Sequence, residues 1–220
     1  MLRKLINKLK NMNRDVNPFD PSKFNDPIAM QTDWTPVKTG GSSFQSHKLV
    51  ITDPNRVEFR ATIGAKAFYL IFLFAGIVIF LGFVAARFSA GNFAFDIGTI
   101  MPLLVGLVFT FIGGSMLYFG TAPVVFDKPK GYFWKGRKSP DEVIHMSSTK
   151  NFTELSRIHA LQLISEYCRT NKNSFYSYEL NLVLENADRI NVVDHGNKNK
   201  LMEDAHSLSQ FLGKLVWDAT

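Results

Sequence analysis

Between residues 67 and 119 lie two long apolar runs separated by a short break, and no other feature limits the possible folds so strongly. Residues 67–86 carry no charge. A helix of that length, rising about 1.5 Å per residue, crosses a hydrocarbon core of roughly 30 Å. Its Phe, Leu, Ile and Val side chains each contribute about −0.3 to −0.6 kcal/mol to insertion, on the order of −6 kcal/mol together. Residues 97–119 are also uncharged, although Pro102, Gly98, Gly106, Gly113 and Gly114 weaken the run. The break at 87–96 holds Arg87 and Asp96 and allows only a turn on one side of a bilayer, so the spans form an antiparallel hairpin. The competing arrangement, two buried helices of a soluble domain, suits uncharged runs of this length poorly.

The net charge of +6 over 220 residues matters less than where it lies. Lys48, Arg56, Arg60 and Lys66 precede the first run, Lys128, Lys130, Lys135, Arg137 and Lys138 follow the second, and the connector has only Arg87. Basic excess marks the cytoplasmic side, so both termini are expected there. A mean hydropathy of zero averages two lipid-soluble helices with two polar flanks. The one cysteine, Cys168, excludes an intrachain disulfide and leans towards a reducing compartment for the larger flank.

Four segments follow: 1–16, 17–63, 64–120 and 121–220. In the first, Met1, Leu2, Leu5, Ile6 and Leu9 recur at helical spacing among Arg3, Lys4, Lys8 and Lys10. That is the pattern of a basic amphipathic helix lying on anionic lipid, with a frayed, solvated terminus as the alternative. Charge interrupts it throughout and no small-residue cleavage site follows, unlike a signal peptide. Residues 17–46 are rich in Pro, Asp, Asn, Ser, Thr and Gly and read as an extended arm. In it the dispersed Phe19, Phe24 and Trp34 either anchor the arm along another protein's surface or punctuate a disordered tail. Residues 47–61 hold two short β-branched runs about a Pro-Asn turn, a strand pair leading into the membrane.

Within 64–120, small residues mark where helices approach closely. Gly106, Thr110 and Gly114 share a face of the second span; Ala75, Gly82 and Ala86 give the first a comparable strip, for packing against each other or another subunit. No ionisable residue lies inside either span, which argues against a proton or ion pathway built by this chain alone.

The segment 121–220 is patterned mainly at period two. PVVFD, KPKG and YFWKG give strand, turn and strand, with Gly131 supplying the permissive backbone. A second long strand is expected over 157–169. In 176–185, Tyr176, Tyr178, Leu180, Leu182 and Leu184 lie on one face and Ser177, Glu179, Asn181 and Glu185 on the other, with Val183 the exception. Residues 189–194 pair back, completing an antiparallel meander. A helix with Leu201, Ala205, Leu208 and Leu212 on one stripe, N-capped by Asn199 and stopped by Gly213, closes a small α+β domain.

This order of elements, carried by VVFDKPKGYFW, SYELNLVLENADRINVVDH and DAHSLSQFLGKLVWD, resembles bacterial two-span membrane proteins with a pleckstrin-homology-like C-terminal domain and, distantly, the chloroplast photosystem assembly factor family. The resemblance covers residues 67–218. It implies a two-helix transmembrane hairpin plus a small α+β domain, an antiparallel sheet with one C-terminal helix, in a bacterial cytoplasmic membrane. It brings no catalytic motif, and the long N-terminal flank departs from its compact plan.

Reactive constellations are sparse. Asp194, His195, Glu203, Asp204 and His206 are the local cluster of ligand types that a metal-dependent enzyme would need to converge, and the loop through Gly196 separates them. Cys168 and His159, a nucleophile and a base, lie roughly 30 Å apart along one strand at about 3.3 Å per residue. No phosphate-binding loop, dinucleotide fingerprint or hydrolase elbow occurs, so no catalytic, metal or cofactor residue is assigned and no cofactor is expected. The Asn151 sequon has no bearing on a cytoplasmic flank. Lys128, Lys130, Trp134, Lys135, Arg137 and Lys138 form a basic aromatic stretch just beyond the second span. It either holds the domain on anionic membrane lipids or serves topology alone as a solvated hairpin. Charge in 121–220 is nearly balanced, which disfavours nucleic acid. The expected function is therefore a non-catalytic membrane accessory or assembly protein presenting its domain and N-terminal arm to a protein partner. An anionic-lipid sensor is the alternative.

Overall fold

In chain order come a short helix α1 (Pro27–Gln31), strands β1 (His47–Asp53) and β2 (Arg56–Ala61), and two long helices, α2 (Ile63–Ser89) and α3 (Ile97–Gly120). Then follow β3 (Val124–Asp127), β4 (Tyr132–Lys135), β5 (Phe152–Glu154), β6 (Ile158–Arg169), β7 (Ser174–Leu184), β8 (Arg189–His195), helix α4 (Lys198–Leu212) and β9 (Leu215–Ala219). The computed structural model describes residues 19–91, 96–142, 151–169 and 173–220, so the amphipathic segment expected at 1–16 lies outside the described residues.

Both long helices are apolar and long enough to cross a membrane, and only 11% of each apolar window is buried within the protein. Surface of that kind calls for an apolar surrounding, which associates the chain with a membrane. Each helix starts at a side-chain cap that satisfies an otherwise unpaired amide: Thr62 accepts from the Ala65 N–H at 3.2 Å, and Asp96 from that of Thr99 at 2.8 Å. The helices cross on glycine. Gly76 lies against Thr110 and Gly106, Gly113 against Leu73, and a Cβ on Gly106 would meet the Phe80 nitrogen at 2.8 Å. Gly106 and Thr110 therefore sit at the crossing, whereas Gly114 is peripheral and Gly82 and Ala86 are exposed. The reason is rotational. The contact on α2 centres on Gly76 rather than Ala75, and one residue turns a helix face by about 100°.

The first sheet is antiparallel in the order β1-β2-β3-β4-β5. Its centre joins strands from opposite sides of the hairpin: β2 pairs with β3, with Phe59 opposite Val124 and Arg56 opposite Asp127. The boundary expected at residue 121 thus cuts through a sheet, and β1 and β2 belong to the domain rather than to a linker. Local pattern marks strands but not which strands pair across an insertion. The second sheet runs β8-β7-β6-β9. Its antiparallel part follows the expected meander, but β9 adds in parallel beside β6, so the sheet is mixed and the chain ends in a strand rather than the helix. An isolated bridge between Gln45 and His195 joins the two sheets at one corner.

Val57, Phe59, Phe126 and Phe133 from the first sheet pack against Leu161, Leu163, Leu180 and Leu182 from the second, and Leu201, Ala205 and Leu208 of α4 close the core. The N-cap of α4 is Asn197, two residues before the one expected; its side chain accepts from the Lys200 N–H at 3.1 Å. Gly213, with φ +66°, ends the helix as its sequence position indicates.

The outer face of the second sheet is also covered. Phe24, Ile28 and Trp34 of the arm pack on Ala160, Val183 and Trp217. Phe19 extends this cluster, its ring centroid 4.3 Å from that of Trp34. Val183, the single break in the polar row of β7, lies where the arm brings its apolar anchors. The dispersed aromatics thus converge on the chain's own sheet.

Candidate functional site

Beyond Trp34 the arm has no regular structure, so its backbone amides need partners from elsewhere. The outward row of β6 and β7 supplies them. Glu179 accepts from the Val37 and Lys38 N–H groups at 2.8 and 2.7 Å, Ser177 Oγ accepts from Ser42 N–H at 2.7 Å, and Gln162 donates to the Asp33 carbonyl at 3.0 Å. Arg189 donates to the Thr35 carbonyl at 2.6 Å. Gln162, Ser177, Glu179 and Asn181 are completely buried as a result. Burial raises the Glu179 carboxyl above its ordinary range, against the lowering effect of the two arm amides and Asn181.

Where the arm turns into β1, it borders a cleft of about 380 Å³. Lys38, Gly41 and Ser42 of the arm, Ser46 and His47 at the start of β1, Phe119 and Ala122 at the end of α3, Lys135 of β4, and Asn191 and Asp194 of β8 line it. Phe119 brings the end of α3 to its rim, and the foot of α2 is tied to Ser46 there. The Thr62 N–H, at the foot of α2, donates to the Ser46 carbonyl at 2.9 Å, and Thr62 Oγ1 donates to that of Gln45 at 2.9 Å.

The charges in the cleft are unequally satisfied. Asp194 accepts from Asn191 Nδ2 at 2.9 Å and lies 3.4 Å from Lys38 Nζ, so both its oxygens are engaged. Lys135 has one long contact among the described residues, Nζ to Asn191 Oδ1 at 3.4 Å. Desolvation pushes its ammonium down to about 8, with Asp194 opposing the shift and Lys38 adding to it. His47 is also lowered, chiefly by burial, and a hydrogen bond to the Ala122 backbone works the other way.

The basic aromatic stretch does not form one patch. Lys128 lies over the Phe211 ring at 4.5 Å, and Lys130 is held by Ser139 and Asp141, each at 2.9 Å. Trp134 is buried, 5.5 Å from the Arg56 guanidinium. Arg137 donates to the Tyr118 carbonyl and to Thr121 Oγ1, closing the C-terminal end of α3, and Lys138 is exposed. Of these residues only Lys135 lines the cleft, and Trp134, its neighbour on β4, alternates to the opposite face. A more open depression of about 430 Å³ beside Lys128 and Lys130 is bordered by Glu154 as well, which offsets their charge.

The candidate metal ligands diverge. His195 is buried against the Asn197 carbonyl, Glu203 pairs with Lys200, Asp204 accepts from the Leu49 N–H, and His206 meets Gln210. No group of three ligand-type residues converges among the described residues. His159 bonds Asp26 at 2.7 Å, on the aromatic cluster, while Cys168 is buried near Gly41 and Ser177.

The architecture defines a class: a two-helix apolar hairpin inserted into an α+β sheet domain whose outer face is covered by an N-terminal arm. No family model, curated protein or solved structure matches the chain.

Proposed function

We propose that the chain is a non-catalytic, two-span accessory or assembly protein of a bacterial cytoplasmic membrane, holding a pleckstrin-homology-like domain at the cytoplasmic face for a protein partner. One observation carries this reading: the hairpin interrupts the sheet between two hydrogen-bonded neighbours, β2 and β3. A tether that merely localises a domain needs a single flexible link. Here both spans leave from adjacent strands, and Thr62 and Arg137 tie their feet to the domain, which favours one fixed orientation towards anything else embedded in the bilayer. The cytoplasmic assignment rests on the basic excess around Lys48, Arg60, Lys66 and Lys138 against Arg87 alone.

Two measurements test it. A reporter active only after translocation should work when inserted at Gly91 and stay silent after Thr220; the reverse would overturn the orientation. Gentle extraction at native expression, followed by cross-linking and mass spectrometry, should retain a second membrane protein in stoichiometric amount. A lone monomer or homodimer would overturn the accessory role.

A further inference from the structure

The cleft at the feet of the two helices has the polarity of a receptor for one anionic group. Its walls place an ammonium, Lys135, where protein partners do not satisfy it, since Asn191 at 3.4 Å is its one polar contact among the described residues. The neighbouring carboxylates favour its charge from a distance, but both are bonded to other groups. Asp194 is engaged by Asn191 and Lys38, and Glu179 by Val37, Lys38 and Asn181. A half-buried ammonium without a full set of acceptors recovers stability from an entering oxyanion, since hydrogen bonds to charged groups are the strong ones.

Position decides where that anion comes from. Phe119, in the last turn of α3, lines the cleft and is largely exposed, so the mouth lies at the level where the apolar helices end. The polar headgroup layer occupies roughly the outer 5–7 Å on each side of a bilayer core. A lipid standing beside Phe119 therefore brings its phosphate to the cleft while its chains stay along the helices. A volume of about 380 Å³ has room for a headgroup.

We propose that this cleft binds the phosphodiester of a single phospholipid from the leaflet on the domain side, with Lys135 as its counter-ion, Lys38 at the rim and Phe119 beside the glycerol. The single negative charge of a phosphodiester matches Lys135, the cleft lysine that makes no ion pair among the described residues. This goes beyond an accessory role and does not depend on one, because lipid retention and partner retention are separate measurements and either can fail alone.

The test uses the full chain, purified in mild detergent and offered phosphatidylglycerol, then weighed by native mass spectrometry. Wild type and Lys135→Arg should each retain one lipid per chain. Lys135→Gln should retain about tenfold less, the loss of one charge-assisted hydrogen bond, while Lys138→Gln behaves as wild type. Circular dichroism of each variant separates lost binding from lost fold. Equal retention by Lys135→Gln, or no lipid on wild type, would overturn the proposal. Displacement of the lipid by millimolar inorganic phosphate would reassign the site to soluble phosphate and overturn the lipid source; retention in its presence supports the headgroup.

Discussion

Glu179 shows how one side chain sets the path of a distant segment. Its two oxygens take the amides of Val37 and Lys38, which have no regular secondary structure to bond within. Glu179→Ala leaves both amides without an acceptor, so the variant should lose about 2–4 kcal/mol in thermal denaturation. Amide exchange over 37–42 should rise in step, with Glu179→Gln in between. Asp204 supplies the pH-dependent case. It faces Leu49 across α4 and β1, and burial pushes its carboxyl up to about 6 from an ordinary 3.8, with the Leu49 amide opposing. The folded state then holds this proton more tightly than the unfolded chain does. Its contribution is favourable at pH 4 and declines as pH rises through 6. Asp204→Asn should match wild type near pH 4 and gain on the order of 1 kcal/mol at pH 8, measured by denaturant titration at both values.

At the scale of elements, the helix crossing and the covered sheet were legible to different degrees. Gly76 and Gly82 look alike in sequence, yet only the first meets the other helix. Gly76→Leu should lower the unfolding temperature in detergent, with an overpacking penalty of about 1–3 kcal/mol, while Gly82→Leu should leave it unchanged. Spans, the β1–β2 pair, β6 to β8 and α4 could be read from periodicity, because each buries one face at its own repeat. The cover on β7 could not. Ser177, Glu179 and Asn181 have the alternation of a solvated face, and what buries them is a main chain joined 135 to 142 residues away, with no side-chain pattern to announce it. Val183 was the one visible sign. The cleft was equally hidden: Lys135 reads as one of several lysines after a span, and only the return of β8 and the arm separates it from Lys138. β9 escaped notice because a short parallel edge strand following a helix has neither a hairpin turn nor sustained alternation to mark it.

For the whole molecule, the consequence of β2 lying beside β3 is that the hairpin can be removed and the domain cannot be divided. Replacing 63–121 by a short Gly-Ser turn joins two strand ends that are already neighbours, and should yield a soluble, cooperatively folding domain with native-like circular dichroism. The fragment 121–220 lacks Val57 and Phe59, each worth about 1.5–3 kcal/mol of burial, along with the arm on its outer face. Against a total of about 5–15 kcal/mol it should remain unfolded and show broad, uncooperative melting. The same interruption has a meaning in time. During synthesis β1 and β2 leave the ribosome first, and their partner β3 follows only after roughly sixty residues of hairpin, about 3–12 s later at roughly 5–20 residues per second. Through that interval the apolar side of the β1–β2 pair waits uncovered, so the soluble domain is completed only after both spans have emerged. A hairpin whose two ends fail to come out side by side keeps β2 from β3, so the folded sheet reports that both ends of the hairpin have met.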